Sequence, residues 1–195
     1  MNLLQRILLL LTDPEGATYD LYNSPQIGDA FLIVSLYAGL SALNSLISAM
    51  LMTGTLSVGI LAFFSSALIV YLIWAFLSIA FHSAAALLGG KGEIPNAIGF
   101  VGLAAAPMIL TTIASLFLTM LSATLVTDDP DSILRKIGFG ISIIGMAWGW
   151  PGVLCYFGMK NGERIDSLKS VLVTMVMFLG FAAIEVFSSK FWSFE

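Results

Sequence analysis

The chain has 195 residues, of which 58% are hydrophobic and 10% charged, with a formal net charge of -4 and a mean hydropathy of +0.97. Soluble domains carry roughly a quarter charged residues, so this much apolar surface requires lipid as the solvent. The 8 basic side chains are scattered among 12 acidic ones with no basic run, which excludes nucleic acid as a partner, and the single Cys155 excludes an internal disulfide and any multi-cysteine metal cluster.

In chain order, Met1 to Leu11 is too short for a secretory signal and is interrupted by Asp13-Pro14-Glu15. Leu3, Leu4, Ile7, Leu8 and Leu11 share one helical face opposite Asn2, Gln5 and Arg6, which predicts a helix lying in the membrane surface; docking onto protein is the alternative. Asp13 as N-cap with Pro14 at the first helical position predicts a second short helix running toward Tyr22, with Tyr19 and Tyr22 at the interface.

Ser24-Pro25 repeats the cap-then-proline start and opens a first span over about Ile27 to Met52. Ala38, Ser41, Ala42, Ser45 and Ala49 form a small-residue face, and Asn44 can bond between helices. After Thr53-Gly54-Thr55 a second span covers about Leu56 to Leu88, longer than the ~20 residues a bilayer needs, so it must tilt, bend or project. Its stripe of Ala75, Ser78, His82, Ala85 and Gly89 is expected to turn His82 toward neighbouring helices.

Pro95 opens a third span that reaches about Val126, with Pro95, Gly99, Gly102 and Ala106 on one stripe. Pro107 lies well inside it and predicts a bend, because its missing N–H frees a carbonyl. Asp128, Asp129, Pro130 and Asp131 cap a fourth helix over about Ile133 to Phe157, whose packing face is Gly138, Ser142, Gly145, Gly149 and Gly152. Asn161-Gly162 stops it, and Asp166 or Ser167 caps a fifth span over about Leu168 to Phe187, whose bulky run Val171 to Leu179 is expected to face lipid. Glu185, near that span's end and close to Lys190, reads as a snorkelling side chain rather than a buried proton site.

The expected fold is therefore all-α: a polytopic bundle of about five transmembrane helices behind an N-terminal interfacial segment, divided at 1–26 and 27–190. With the N-terminus inside, Arg6, Lys91, Lys160, Arg164 and Lys169 fall on the cytoplasmic side and Arg135, Lys136 and Lys190 outside, which supports a cytoplasmic N-terminus and an external C-terminus.

Candidate chemistry is sparse. Gly89-Gly90-Lys91-Gly92 lacks the phosphate-loop spacing, since Ala85 and Gly92 stand where a glycine and a hydroxyl are needed; a tight turn between helices fits it better, with Lys91 near lipid headgroups. His82 is the only histidine, so it reads as an interhelical hydrogen-bonding residue rather than a metal ligand. No nucleophile has an activating base, and no cofactor site is expected.

The order of these motifs resembles the Yip1 domain family: a short interfacial preamble, five helices, a second helix ending in His82 and Leu87-Leu88-Gly89-Gly90-Lys91-Gly92, and then Ala105-Ala106-Pro107. Trp148, Trp150, Gly158 and the basic loop Lys160 to Lys169 continue the likeness, and Asp20-Leu21-Tyr22-Asn23-Ser24-Pro25 is similar to an Asp-Leu-Tyr-Gly-Pro segment of eukaryotic members, with Asn23-Ser24 in place of the glycine. The resemblance implies a non-enzymatic membrane organiser or trafficking-type adaptor that contacts lipids, its own copies or related membrane proteins. In eukaryotic members it implies prenylated Rab-type GTPases as well. The short preamble here looks like a prokaryotic plasma-membrane member. A small permease, channel or lipid-translocating protein, with His82 and Pro107 lining a path, is the alternative.

Overall fold

The structure is a computed structural model that describes residues 3–19, 21–124 and 149–191. The described chain is helical: α1 (Leu3–Thr12), α2 (Pro14–Thr18), α3 (Ile27–Thr53), α4 (Leu56–Leu87), α5 (Ile94–Leu103), α6 (Ala106–Thr124), α7 (Gly149–Gly162) and α8 (Ser167–Phe191). Among the described residues α3, α4 and the stretch Ile94–Met120 are long and apolar enough to cross a membrane.

Local chemistry explains most boundaries. Asp13 caps α2 as expected, its Oδ1 accepting from the Gly16 amide at 2.9 Å, but α2 stops at Thr18, short of Tyr22. Ser24 does not cap α3. The N-cap position is Gln26, and Pro25 ends the preceding turn instead of opening the helix. Gly54 closes α3 with φ +68°, a left-handed conformation that favours glycine, and its amide returns to the Met50 carbonyl. Asp166 caps α8, accepting from the Leu168 amide through its side chain and from the Ser170 amide through its carbonyl.

The bend expected from Pro107 is present, one turn upstream of the ring. α5 ends at Leu103, Ala104 and Ala105 form a turn, and Pro107 sits in the first turn of α6, where its lack of an N–H costs least. The Ala104 and Ala105 amides are satisfied by the Phe100 and Gly102 carbonyls.

α3 lies along α4, α5 and α6, and α5 is wedged among α3, α4 and α7. On α3 the small face is as read: Ala38 and Ala42 are buried, and Ser41 meets Ser66 at 3.2 Å. Asn44 bridges two α6 residues, donating to Ser115 at 3.3 Å and accepting from Thr119 at 3.2 Å. On α4 the expected stripe is only partly inward. Ser78 and Ala85 are buried, but Ala75 and Gly89 are exposed and the bulky Phe81 takes the centre of the packed face. Phe81 meets Phe100 edge-on at 5.7 Å between centroids, which makes the two rings the middle of the core.

α1 shares out its leucines. Leu10 is fully buried and Ile7 and Leu9 pack on the core, while Leu4 and Leu8 remain exposed. The helix therefore docks on protein through one edge and keeps an apolar edge free. Arg6 anchors it to the start of α3 by a 3.0 Å contact with Asp29, and Trp150 donates its indole N–H to the Leu10 carbonyl at 3.1 Å.

Of the expected fourth helix, its first part and Gly145 and Trp148 lie outside the described residues; α7 continues past Phe157 to Gly162. On α8 Leu172, Met175, Val176 and Leu179 are exposed, as the bulky run implied, and Ser170, Val173 and Thr174 form its buried edge. The side chain of Glu185 is outside what is described.

Candidate functional site

The residues singled out at the α4–α5 turn meet a second turn, between α7 and α8, at one end of the bundle. Gly89 adopts φ +87°, which reverses the chain after α4, and the Gly90 amide bonds the Ala85 carbonyl at 2.8 Å. The chain then runs against Glu163. Lys91 donates its amide to the Glu163 carbonyl at 2.8 Å.

Gly90 and Gly92 each have a packing reason. A Cβ on Gly90 would press on the Ala85 carbonyl at 2.9 Å and on Ile165 at 3.1 Å. One on Gly92 would run into Glu163 Oε2 and the Gly162 carbonyl oxygen. The turn is thus shaped for close backbone approach at Gly90 and Gly92.

His82 has a partner that the sequence reading missed. Its Nδ1 lies 3.2 Å from Glu163 Oε1; the histidine side chain is 22% exposed and the glutamate side chain 1%. Glu163 was overlooked because it sits in a stretch read as a basic loop, Lys160 to Lys169, and no periodicity marks a single acid between two helices. Burial pushes its carboxyl above the ordinary carboxylate range, and the bond and charge of His82 draw it part of the way back. One carboxylate thus converges on His82. Among the described residues no group of three or more His, Cys, Asp or Glu side chains could hold a metal ion.

A second buried polar side chain completes the clasp. Asn96, 2% exposed in the first turns of α5, donates to the Gly162 carbonyl at 3.1 Å. Lys169 reaches back to the Leu88 carbonyl at 2.8 Å. Arg164, at φ +54°, lays its guanidinium over the Tyr22 ring at 3.6 Å, while Leu21 is fully buried near Gly99 and Gly162. Asn161 donates to Thr18 and Lys160 pairs with Glu15 at 2.7 Å. The N-terminal segment, the α4–α5 turn and the α7–α8 turn are therefore one cross-braced end.

The other candidate residues are dispersed. Lys91 itself is exposed, and only its backbone takes part in the clasp. Pro107 is buried in α6. Gly149 has no heavy atom of the described residues within 4 Å of an added Cβ. An apolar cavity of about 250 Å³ lies between α3, α4, α7 and α8 at the α5–α6 break, lined among others by Tyr37, Trp74, Phe81, Ala105 and Phe178; neither His82 nor Pro107 is among its lining residues.

An all-helical polytopic bundle with long apolar helices, closed at one end by paired turns, defines an integral membrane protein. A family model described as the Yip1 domain matches residues 8–187, nearly the whole chain, and the chain belongs to that family, whose members are in general non-enzymatic membrane proteins. The match begins inside α1. No curated protein and no solved structure matches the chain.

Proposed function

We propose that this protein is a non-enzymatic membrane organiser or adaptor that acts through helix, lipid and protein contacts, with self-association or a related membrane protein as its first partner. The observation that supports this reading is the outer face of α4. Across its most apolar 18-residue window none of the side chains is buried by the rest of the chain, and Leu61, Phe64, Leu68 and Leu72 stand exposed in a row. Such a face is available to lipid or to a neighbouring helix.

The side of Gly149, which no heavy atom of the described residues approaches within 4 Å of an added Cβ, is the second surface suited to close helix approach. The association state in mild detergent tests it. Gly145→Leu and Gly149→Leu should lower the assembly state, and unchanged assembly with unchanged stability argues against this face. Localisation to a prokaryotic plasma membrane, with a cytoplasmic N-terminus and external C-terminus, belongs to the same proposal. Asp129→Cys should then react with an impermeant thiol reagent added outside and Gly162→Cys should not, the reverse pattern overturning the orientation. A GTPase partner rests on likeness to eukaryotic members alone.

A further inference from the structure

Two buried oxygens at the clasp have no hydrogen-bond partner: Oε2 of Glu163 and Oδ1 of Asn96. The space beside Gly92 is bordered by that same Oε2 and by the Gly162 carbonyl oxygen, to which Asn96 donates. The unpartnered oxygen of the carboxyl thus shares that space with an acceptor, an arrangement that disfavours a carboxylate and suits a carboxylic acid. We propose that Glu163 is a proton site that latches the two turns: a proton on Oε2 turns that oxygen into a donor on the side of the Gly162 carbonyl while Oε1 accepts from His82, and loss of the proton loosens the clasp. The inference stands apart from the organising role and needs only the clasp itself.

The charged groups around Glu163 leave His82 as its partner. From α4 comes His82, at 3.2 Å. From the α4–α5 turn come Lys91 and Glu93, both exposed, and α5 carries no titratable side chain. From α7, Lys160 is engaged by Glu15; from the bend, Arg164 covers Tyr22 and Asp166 caps α8; from α8, Lys169 holds the Leu88 carbonyl. His82, with its side chain 22% exposed, is the route by which a proton passes between the buried carboxyl and water. The elevated affinity of Glu163 for its proton agrees with this placement. With the proton gone, a buried charge lies on the side of the Gly162 carbonyl oxygen, and the Lys91 amide that bonds the Glu163 carbonyl is the group most directly released.

Hydrogen exchange of the α4–α5 turn, measured on the full chain in lipid nanodiscs from about pH 5 to about pH 9 and corrected for intrinsic exchange, tests this. Protection of the Lys91 amide in the wild-type chain should fall by about tenfold or more across the series. In Glu163→Gln it should stay level, because the amide NH2 donates where the acid O–H did and its oxygen still accepts from His82. A level wild-type profile, or a Glu163→Gln profile that falls as the wild type does, overturns the proposal. Should Glu163→Gln fold poorly, infrared spectra of the wild-type chain decide: a carboxylic-acid carbonyl band present at neutral pH and lost as pH rises supports the site, and its absence at neutral pH overturns it.

Discussion

Gly158 of α7 lies directly against the Phe100 ring of α5, so close that a Cβ added to the glycine would overlap the ring atoms. Phe100 is fully buried and meets Phe81 of α4 edge-on, so this one contact sets how near α7 comes to the centre of the bundle. Everything at the clasp depends on that approach, since Gly162 and Glu163 follow one turn later on the same chain.

Gly158→Ala should therefore destabilise the protein by about 1–3 kcal/mol through overpacking. Thermal unfolding in detergent measures it, and the double variant Gly158→Ala with Phe100→Leu should lose less than the sum of the two single variants. Additive losses would show that the two residues are not coupled.

Tyr22→Leu should cost roughly 0.5–2 kcal/mol by removing the ring under Arg164, whose guanidinium lies 3.6 Å from the centroid. Arg164 occupies the left-handed region, φ +54°, so Arg164→Gly loses the same contact but relieves roughly 1 kcal/mol of backbone strain. The expected order of melting temperatures is wild type, then Arg164→Gly, then Tyr22→Leu.

How far the sequence carried differs between helix and site. The long apolar runs, the Asp13 cap, the turn at Thr53-Gly54-Thr55 and a cap at Asp166 or Ser167 were readable because each depends on local chemistry. The Pro107 bend was readable in kind but not in place, since the ring sets where an N–H is missing and the neighbours decide where the helix yields. The α4 stripe was misjudged at Ala75 because residue size does not reveal which side of a fully apolar helix meets protein. Glu163 was invisible for a different reason. Its significance comes from His82, Gly92 and Asn96, which are brought beside it only by the packing of α7 on α5.

Asn44→Leu should separate α3 from α6 energetically without altering the clasp, removing the bonds to Ser115 and Thr119. Interhelical bonds of this kind are worth about 0.6–2 kcal/mol in a membrane, so the melting temperature should fall while the protection of the α4–α5 turn is unchanged.

The pH dependence of stability has a definite sign. The folded-state pKa of Glu163 is raised, mainly by burial, above the ordinary 4.5, so its contribution is fully present below that value and is lost as pH rises through the elevated one. Wild type and Glu163→Gln should thus be closest in stability in acid, with the variant gaining relative to wild type as pH rises. Parallel unfolding profiles for the two proteins would remove Glu163 as the cause.

The clasp is the centre of this account, and proximity across it can be measured in native membranes. Lys169 Nζ lies 2.8 Å from the Leu88 carbonyl, and both side chains are exposed. The double variant Leu88→Cys with Lys169→Cys, treated with a short bis-maleimide, should give an intramolecular cross-link that joins the α4–α5 and α7–α8 turns, with neither single variant doing so. Free modification of both cysteines without a cross-link would contradict the cross-braced end.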